Sequence, residues 1–199
     1  NPLTREAYCM ASFNEELSNG FYAVEDPACV VTDQNQIFVA GGNYIYHENL
    51  AECPSDDSFD EYEEESVRKD FYLYDNDHDC WAPRAPMLFP KSNFALAQVG
   101  NTIFCFGGIT INQHPTEIIE SYDIALNKWS YVSMMPTTLV DLSAVVHNEL
   151  IYVLGGRTGV GAHNVVMRYN PKKGEWASLA GMPTPRFNFG ACVVGDEIY

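Results

Sequence analysis

Ile151-Tyr152-Val153-Leu154-Gly155-Gly156, followed by Tyr169-Asn170-Pro171 and Trp176, is the stretch that decides the architecture. An apolar run ending in two glycines carries little information once. It recurs as Ile103-Phe104-Cys105-Phe106-Gly107-Gly108 with Tyr122-Asp123 and Trp129. It recurs again as Ile37-Phe38-Val39-Ala40-Gly41-Gly42 with Tyr74-Asp75 and Trp81. Tyrosine and tryptophan stand seven residues apart in every copy, and the glycine pairs follow one another at 66 and 48 residues. Such a period means one supersecondary unit repeated, each copy unable to cover its own faces and so stacked on its neighbours.

Each copy reads as short antiparallel strands. Phe94 to Val99 is a first strand, Gly100-Asn101 a hairpin turn, and Thr102 to Phe106 the returning strand. Glu120 to Asp123 and Lys128 to Val132 supply the third and fourth. The copies span residues 28–82, 94–132 and 142–179, and the last takes His147-Asn148-Glu149 as its first turn, with His147 in the place of Gly100. Residues 1–17 read as the end of a further copy, in which Tyr8 stands in for the tryptophan, and residues 189–199 as the start of another, from Phe189. The stretch therefore reads as a segment of a longer protein. Four strands per copy make an all-β propeller, each copy one blade, with the periodic tyrosines and tryptophans as core between blades.

The longer interval in the first copy is an insertion. Residues 47–66 hold nine carboxylates and no lysine or arginine, and removing them moves the formal charge from −16 to −7. A run of like charges repels itself and buries little, so a mobile loop on one face is expected. The overall negative charge argues against a nucleic-acid backbone or an anionic membrane as partner. No apolar run is long enough to cross a bilayer as a helix. Six cysteines are scattered without a Cys-x-x-Cys pair. Cys29, Cys105 and Cys192 fall in apolar runs and read as packed thiols, which points to a reducing compartment, cytoplasm or nucleus.

Sites of chemistry are scarce. Asp75-x-Asp77-x-Asp79 opens like a calcium loop, but Cys80 and Pro86 occupy the positions where glycine and glutamate are required, so a polar turn is the better reading. The five histidines show no metal-ligand spacing. Cys53 lies among carboxylates that would raise its pKa and dull it as a nucleophile. No cofactor, metal or catalytic residue is expected. The approaches to each blade are more suggestive. Lys91-Ser92-Asn93, Leu139-Val140-Asp141 and Arg186-Phe187-Asn188 are equivalent, and Asn93, Asp141 and Asn188 each precede a first strand. Stacked radially, they would ring one mouth of the central channel, either as strand caps or as a contact surface.

The glycine pairs, Tyr169-Asn170-Pro171 with Trp176, Met182-Pro183 before Pro185-Arg186, and Phe189-Gly190-Ala191 resemble the Kelch repeats of the BTB–Kelch adaptor proteins. The resemblance implies a Kelch β-propeller, six-bladed in the whole protein, of which this chain holds a partial array. It implies a protein-interaction module, the substrate-recognition part of a Cullin-3 ubiquitin ligase adaptor, with Cullin-3 held through BTB and BACK regions outside this stretch. The face carrying the loops after the glycine pairs would receive a partner peptide, which adds Asn43, Tyr44, Thr110 and Arg157 to Lys91, Asn93, Asp141, Arg186 and Asn188. Arginines 157 and 186 suit carboxylates, since guanidinium binds them bidentately. The acidic insertion would attract basic partners at long range. A cytoskeletal scaffold is the alternative, and a copper enzyme on a galactose-oxidase-like propeller a more distant one.

Overall fold

A computed structural model of the chain describes residues 20–48 and 66–199. The proposed terminal copy at 1–17, Tyr8, Cys53 and most of the acidic insertion lie outside the described residues. Its flanks do not. Asn43–Glu48 (β4) pairs with Gly20–Glu25 (β1) and with Ser66–Val67 (β5), so His47, Glu48 and Ser66 belong to strands rather than to a loop.

Three four-stranded antiparallel sheets follow one plan. The first is Ala28–Val31 (β2), Ile37–Ala40 (β3), Phe71–Asp75 (β6) and Cys80–Pro83 (β7). Between it and the second sheet, Lys91–Ser92 (β8) forms a short approach strand. The second sheet is Ala95–Val99 (β9), Thr102–Phe106 (β10), Ile118–Asp123 (β12) and Lys128–Met134 (β13), with Ile109–Thr110 (β11) pairing β8. The third is Ser143–His147 (β14), Leu150–Leu154 (β15), Val166–Asn170 (β18) and Glu175–Ser178 (β19), with the small pair Arg157–Thr158 (β16) and Gly161–Ala162 (β17) beside it. Strand order within each sheet equals chain order, which is the up-and-down plan of a propeller blade.

The seven-residue aromatic interval is a register. Tyr74 lies opposite Trp81, Tyr122 opposite Trp129 and Tyr169 opposite Trp176, with ring centroids 5.2, 5.3 and 4.9 Å apart. Each pair of the second and third blades then meets aromatics from the blade before. Phe71 stands 4.6 Å from Tyr122 and 5.0 Å from Trp129, and Phe106 stands 6.0 Å from both Tyr169 and Trp176. Strand alternation does the sorting, since successive side chains point to opposite faces. Ile103 and Cys105 face the first blade, while Phe104 and Phe106 face the third. The first strands of the three blades lie innermost and bound a cleft of about 400 Å³ walled by Val30, Leu96, Val99, Ala144 and Val146.

Four local expectations are corrected. His147 ends β14 opposite Leu150, and the turn is Asn148-Glu149, both at positive φ, so His147 matches Val99 rather than Gly100. The fourth strand of the second blade runs on to Met134, past a bulge opposite Ile119 and Glu120. The fourth copy pairs only Val193–Val194 (β20) with Glu197–Ile198 (β21), so residues 189–192 are not strand. Cys105 is buried as expected, but Cys29 and Cys192 are exposed, because Cys29 alternates away from Ala28 and Val30, which face the core.

Asp75-x-Asp77-x-Asp79 is the turn between third and fourth strands. The Asp75 carboxylate accepts the N–H groups of Asp77 (2.9 Å) and His78 (3.2 Å). The same cap recurs at Asp123, which accepts Leu126 N–H at 2.9 Å, and at Asn170, which accepts Lys172 N–H at 3.0 Å. Among the described residues, no group of three His, Cys, Asp or Glu side chains converges on a metal position.

Candidate partner-binding face

First strands begin, and second and fourth strands end, at the same edge of each blade, so the glycine pairs, the loops after them and the inter-blade connectors share one face. Two sets of backbone hydrogen bonds tie that face together. In the outer set, Gly42, Gly108 and Gly156 each donate N–H to the approach to the next blade, at Lys91, Leu139 and Arg186 carbonyls, all at 2.9 Å. The preceding glycines stand so close to those carbonyls that a Cβ on Gly41, Gly107 or Gly155 would lie 2.3, 2.4 or 2.5 Å away. Glycine is required there for space as well as for its positive φ.

In the inner set, Asn93 donates N–H to the Asp26 carbonyl (3.2 Å), Asp141 to the Asn93 carbonyl (2.9 Å) and Asn188 to the Asp141 carbonyl (2.8 Å). All four residues are left-handed, with φ of 51°, 56°, 54° and 50° for Asp26, Asn93, Asp141 and Asn188. Asparagine and aspartate are the non-glycine residues that tolerate this conformation best, which gives their recurrence a backbone cause. The three residues expected to stand together thus do so, in a hydrogen-bonded row that is structural in its main chain. Asp26 is a fourth member that sequence comparison missed. It lies fifteen residues before its glycine pair, whereas Asn93 and Asp141 lie fourteen before theirs.

The side chains add a network. Asn93 Nδ2 donates to Asp141 Oδ1 at 2.7 Å, and Arg157 Nε donates to Asp141 Oδ2. The Asp141 side chain is only 9% exposed while that of Arg157 is 42% exposed, so one carboxylate holds a guanidinium with its far edge toward solvent. Arg157 also stands over the half-exposed Phe187 ring, 5.5 Å from its centroid.

The other predicted contact residues divide. Thr110 Oγ1 donates to the His114 carbonyl at 3.1 Å and closes a turn after the second glycine pair. Tyr44 lies at the flank of the insertion with the Arg68 guanidinium 4.5 Å from its ring centroid. Burial, with the Asp70 carboxylate, raises its phenol pKa, and the neighbouring Tyr72 is pushed up to about 12 by burial first and Asp70 next. Asn43 holds its amide oxygen buried, without a hydrogen-bond partner among the described residues. Arg186 is exposed but occupies the repeat position of Lys91 and Leu139, both of which are buried.

Lys91 is a correction. Its side chain is 0% exposed, and its ammonium sits 2.8 Å from the equally buried Glu120 carboxylate, 3.2 Å from the Ile118 carbonyl and 3.7 Å from Cys105 Sγ. It cannot meet a partner at the surface. Glu120 lies on the third strand of the blade, and no local signal around Lys91 announces it.

Four-stranded blades joined through glycine pairs and opposed Tyr–Trp pairs define a Kelch β-propeller. A family model described as "Kelch motif" matches residues 90–136 and 139–183. The chain is a set of Kelch repeats, and its relatives are Kelch-like and BTB–Kelch proteins. It is 30% identical over 169 residues to Kelch-like protein 41b of Danio rerio, across 84% of this chain and 26% of that protein. Kelch-like protein 40 of Mus musculus is 28% identical over 202 residues, 100% of this chain and 29% of that protein. Kelch repeat and BTB domain-containing protein 8 of Xenopus tropicalis is 31% identical over 160 residues, 79% of this chain and 23% of that protein. The chain spans roughly a quarter of the length of these curated relatives.

Proposed function

We propose that this Kelch array recognises a partner protein with its loop-rich face, without catalysis, as the substrate receptor of a Cullin-3 ubiquitin ligase in the cytoplasm. The observation that carries the reading is the Asp141 network. A nearly buried carboxylate fixes the Asn93 amide on one side and a half-exposed guanidinium on the other, at the edge where the first strands begin. A polar group held this way loses little freedom when a partner docks, which is what a recognition surface needs. The kinship with BTB–Kelch proteins supports the adaptor role, with the cullin held by regions outside this stretch. The test is direct binding of purified Cullin-3 to the full-length protein, followed by ubiquitin transfer to whatever the loop face captures. Binding without transfer, or no cullin binding, would favour a scaffold instead.

A further inference from the structure

The connector between the first and second blades is built differently from its counterpart in the next. Met87 and Met135 occupy equivalent, buried places, and each donates its N–H to the approach to the third strand of its own blade, to Lys69 and Glu117 carbonyls at 2.9 and 2.8 Å. After Met135 come Pro136 and Thr137, whereas after Met87 come Leu88 and Phe89, each 42% exposed. The main chain of this connector is held from the core. The Glu120 carboxylate, 0% exposed, accepts the N–H groups of both Leu88 (2.8 Å) and Phe89 (3.2 Å), and Lys91 at the connector's far end neutralises it.

The charge pair is not needed for packing. In the third blade the positions of Lys91 and Glu120 are taken by Leu139 and Met167, which are buried in the core with no charge at all. Buried ion pairs replaced by apolar residues of similar volume are commonly neutral or stabilising, so retention of this one calls for another cause. What the Glu120 carboxylate holds besides Lys91 is the main chain at Leu88 and Phe89. Beside it runs the segment Arg68-Lys69, whose carbonyls accept the N–H groups of Lys91 (3.0 Å) and Met87. Both side chains are exposed; Arg68 pairs with the Asp70 carboxylate at 3.0 Å, while Lys69 makes no ion pair among the described residues.

We propose that Leu88 and Phe89 form a second contact element on the loop-rich face, which takes an apolar side chain flanked by a carboxylate from a partner segment, and that Glu120 with Lys91 positions it. This rests on the recognition reading above and names the chemistry recognised. The apolar pair supplies burial, and the Lys69 ammonium beside it selects the acidic flank.

The test is selection of a random displayed peptide library on the whole protein, followed by affinity measurements with the best synthetic peptide. The expected consensus places Leu, Ile, Phe or Trp next to Asp or Glu. Leu88→Ser with Phe89→Ser should weaken that peptide by about tenfold or more. Lys91→Leu with Glu120→Met should keep the melting temperature, weaken the peptide severalfold, and speed hydrogen exchange at the Leu88 and Phe89 amides. A purely structural role for the pair would move the melting temperature and leave peptide affinity alone. A basic consensus, or unchanged affinity in the Leu88/Phe89 variant, overturns the proposal. If affinity is then lost in glycine variants of Asn93, Asp141 and Asn188, the face is right and the contact element wrong. No enrichment on the whole protein overturns both.

Discussion

Asn93 and Asp141 are joined twice across neighbouring blades: the Asp141 N–H donates to the Asn93 carbonyl at 2.9 Å, and the Asn93 amide donates to the Asp141 carboxylate at 2.7 Å. Both residues are left-handed. The row they belong to is therefore tied twice, by main chain along the inner edge of the array and by side chains between Asn93 and Asp141. The distinction decides how the ring should be mutated. Alanine at any of these positions adds the steric cost of the left-handed region, about 1 kcal/mol or more, to the loss of the side chain. Glycine removes the side chain without that cost.

The glycine pairs give a sharp contrast in stability. Gly107→Ala puts a Cβ 2.4 Å from the Leu139 carbonyl oxygen, so the backbone of two blades must part. Gly100→Ala, also at positive φ, meets nothing within 4 Å. Thermal unfolding should show a loss of about 1 kcal/mol for Gly100→Ala, and at least about 3 kcal/mol for Gly107→Ala. Equal losses would show that conformation, not space, demands the pair.

The buried pair should behave non-additively. Lys91→Leu alone strands the Glu120 carboxylate in the core and should cost about 3–5 kcal/mol, and Glu120→Met alone a comparable amount. The double variant, which copies Leu139 and Met167 of the next blade, should return to within about 1 kcal/mol of wild type. Additive losses in denaturant titrations would contradict a coupled pair.

Alkaline pH should destabilise the first two blades and the connector between them. Burial pushes the Cys105 thiol up to about 12, and burial with Asp70 does the same for Tyr72. Burial alone would lower the Lys91 pKa, yet the adjoining Cys105 and Glu120 hold it above the usual lysine value. All three folded values exceed the unfolded ones, so their stabilisation is complete below the unfolded pKa values and is lost as pH rises through the folded ones. The melting temperature should fall from about pH 9 toward about pH 12, less steeply in Cys105→Ala. At pH 8 iodoacetamide should label the exposed Cys29, Cys80 and Cys192 in the native protein, and Cys105 only after denaturation.

How much of this was legible follows from where the information lies. The blades are readable because tyrosine and tryptophan seven apart are directly opposed across a hairpin, a local constraint repeated three times. Asn93, Asp141 and Asn188 are readable because their backbone conformation narrows the choice of residue. Asp26 escapes because the first copy counts one residue more before its glycines. Lys91 misleads because its partner Glu120 is brought in by strand pairing, and a lysine in a connector looks solvent-facing until that partner is placed. His147 misleads by one position, since the left-handed pair Asn148-Glu149 makes the turn without glycine.

The central claim, that the side chains of the ring recognise a partner, is tested most directly by crosslinking the whole protein to its partners and comparing wild type with the Asn93→Gly, Asp141→Gly, Asn188→Gly triple variant. The account predicts that one set of partners disappears while the melting temperature stays within a few degrees. Retention of every partner by a folded triple variant would contradict it and leave the ring as a strand cap alone.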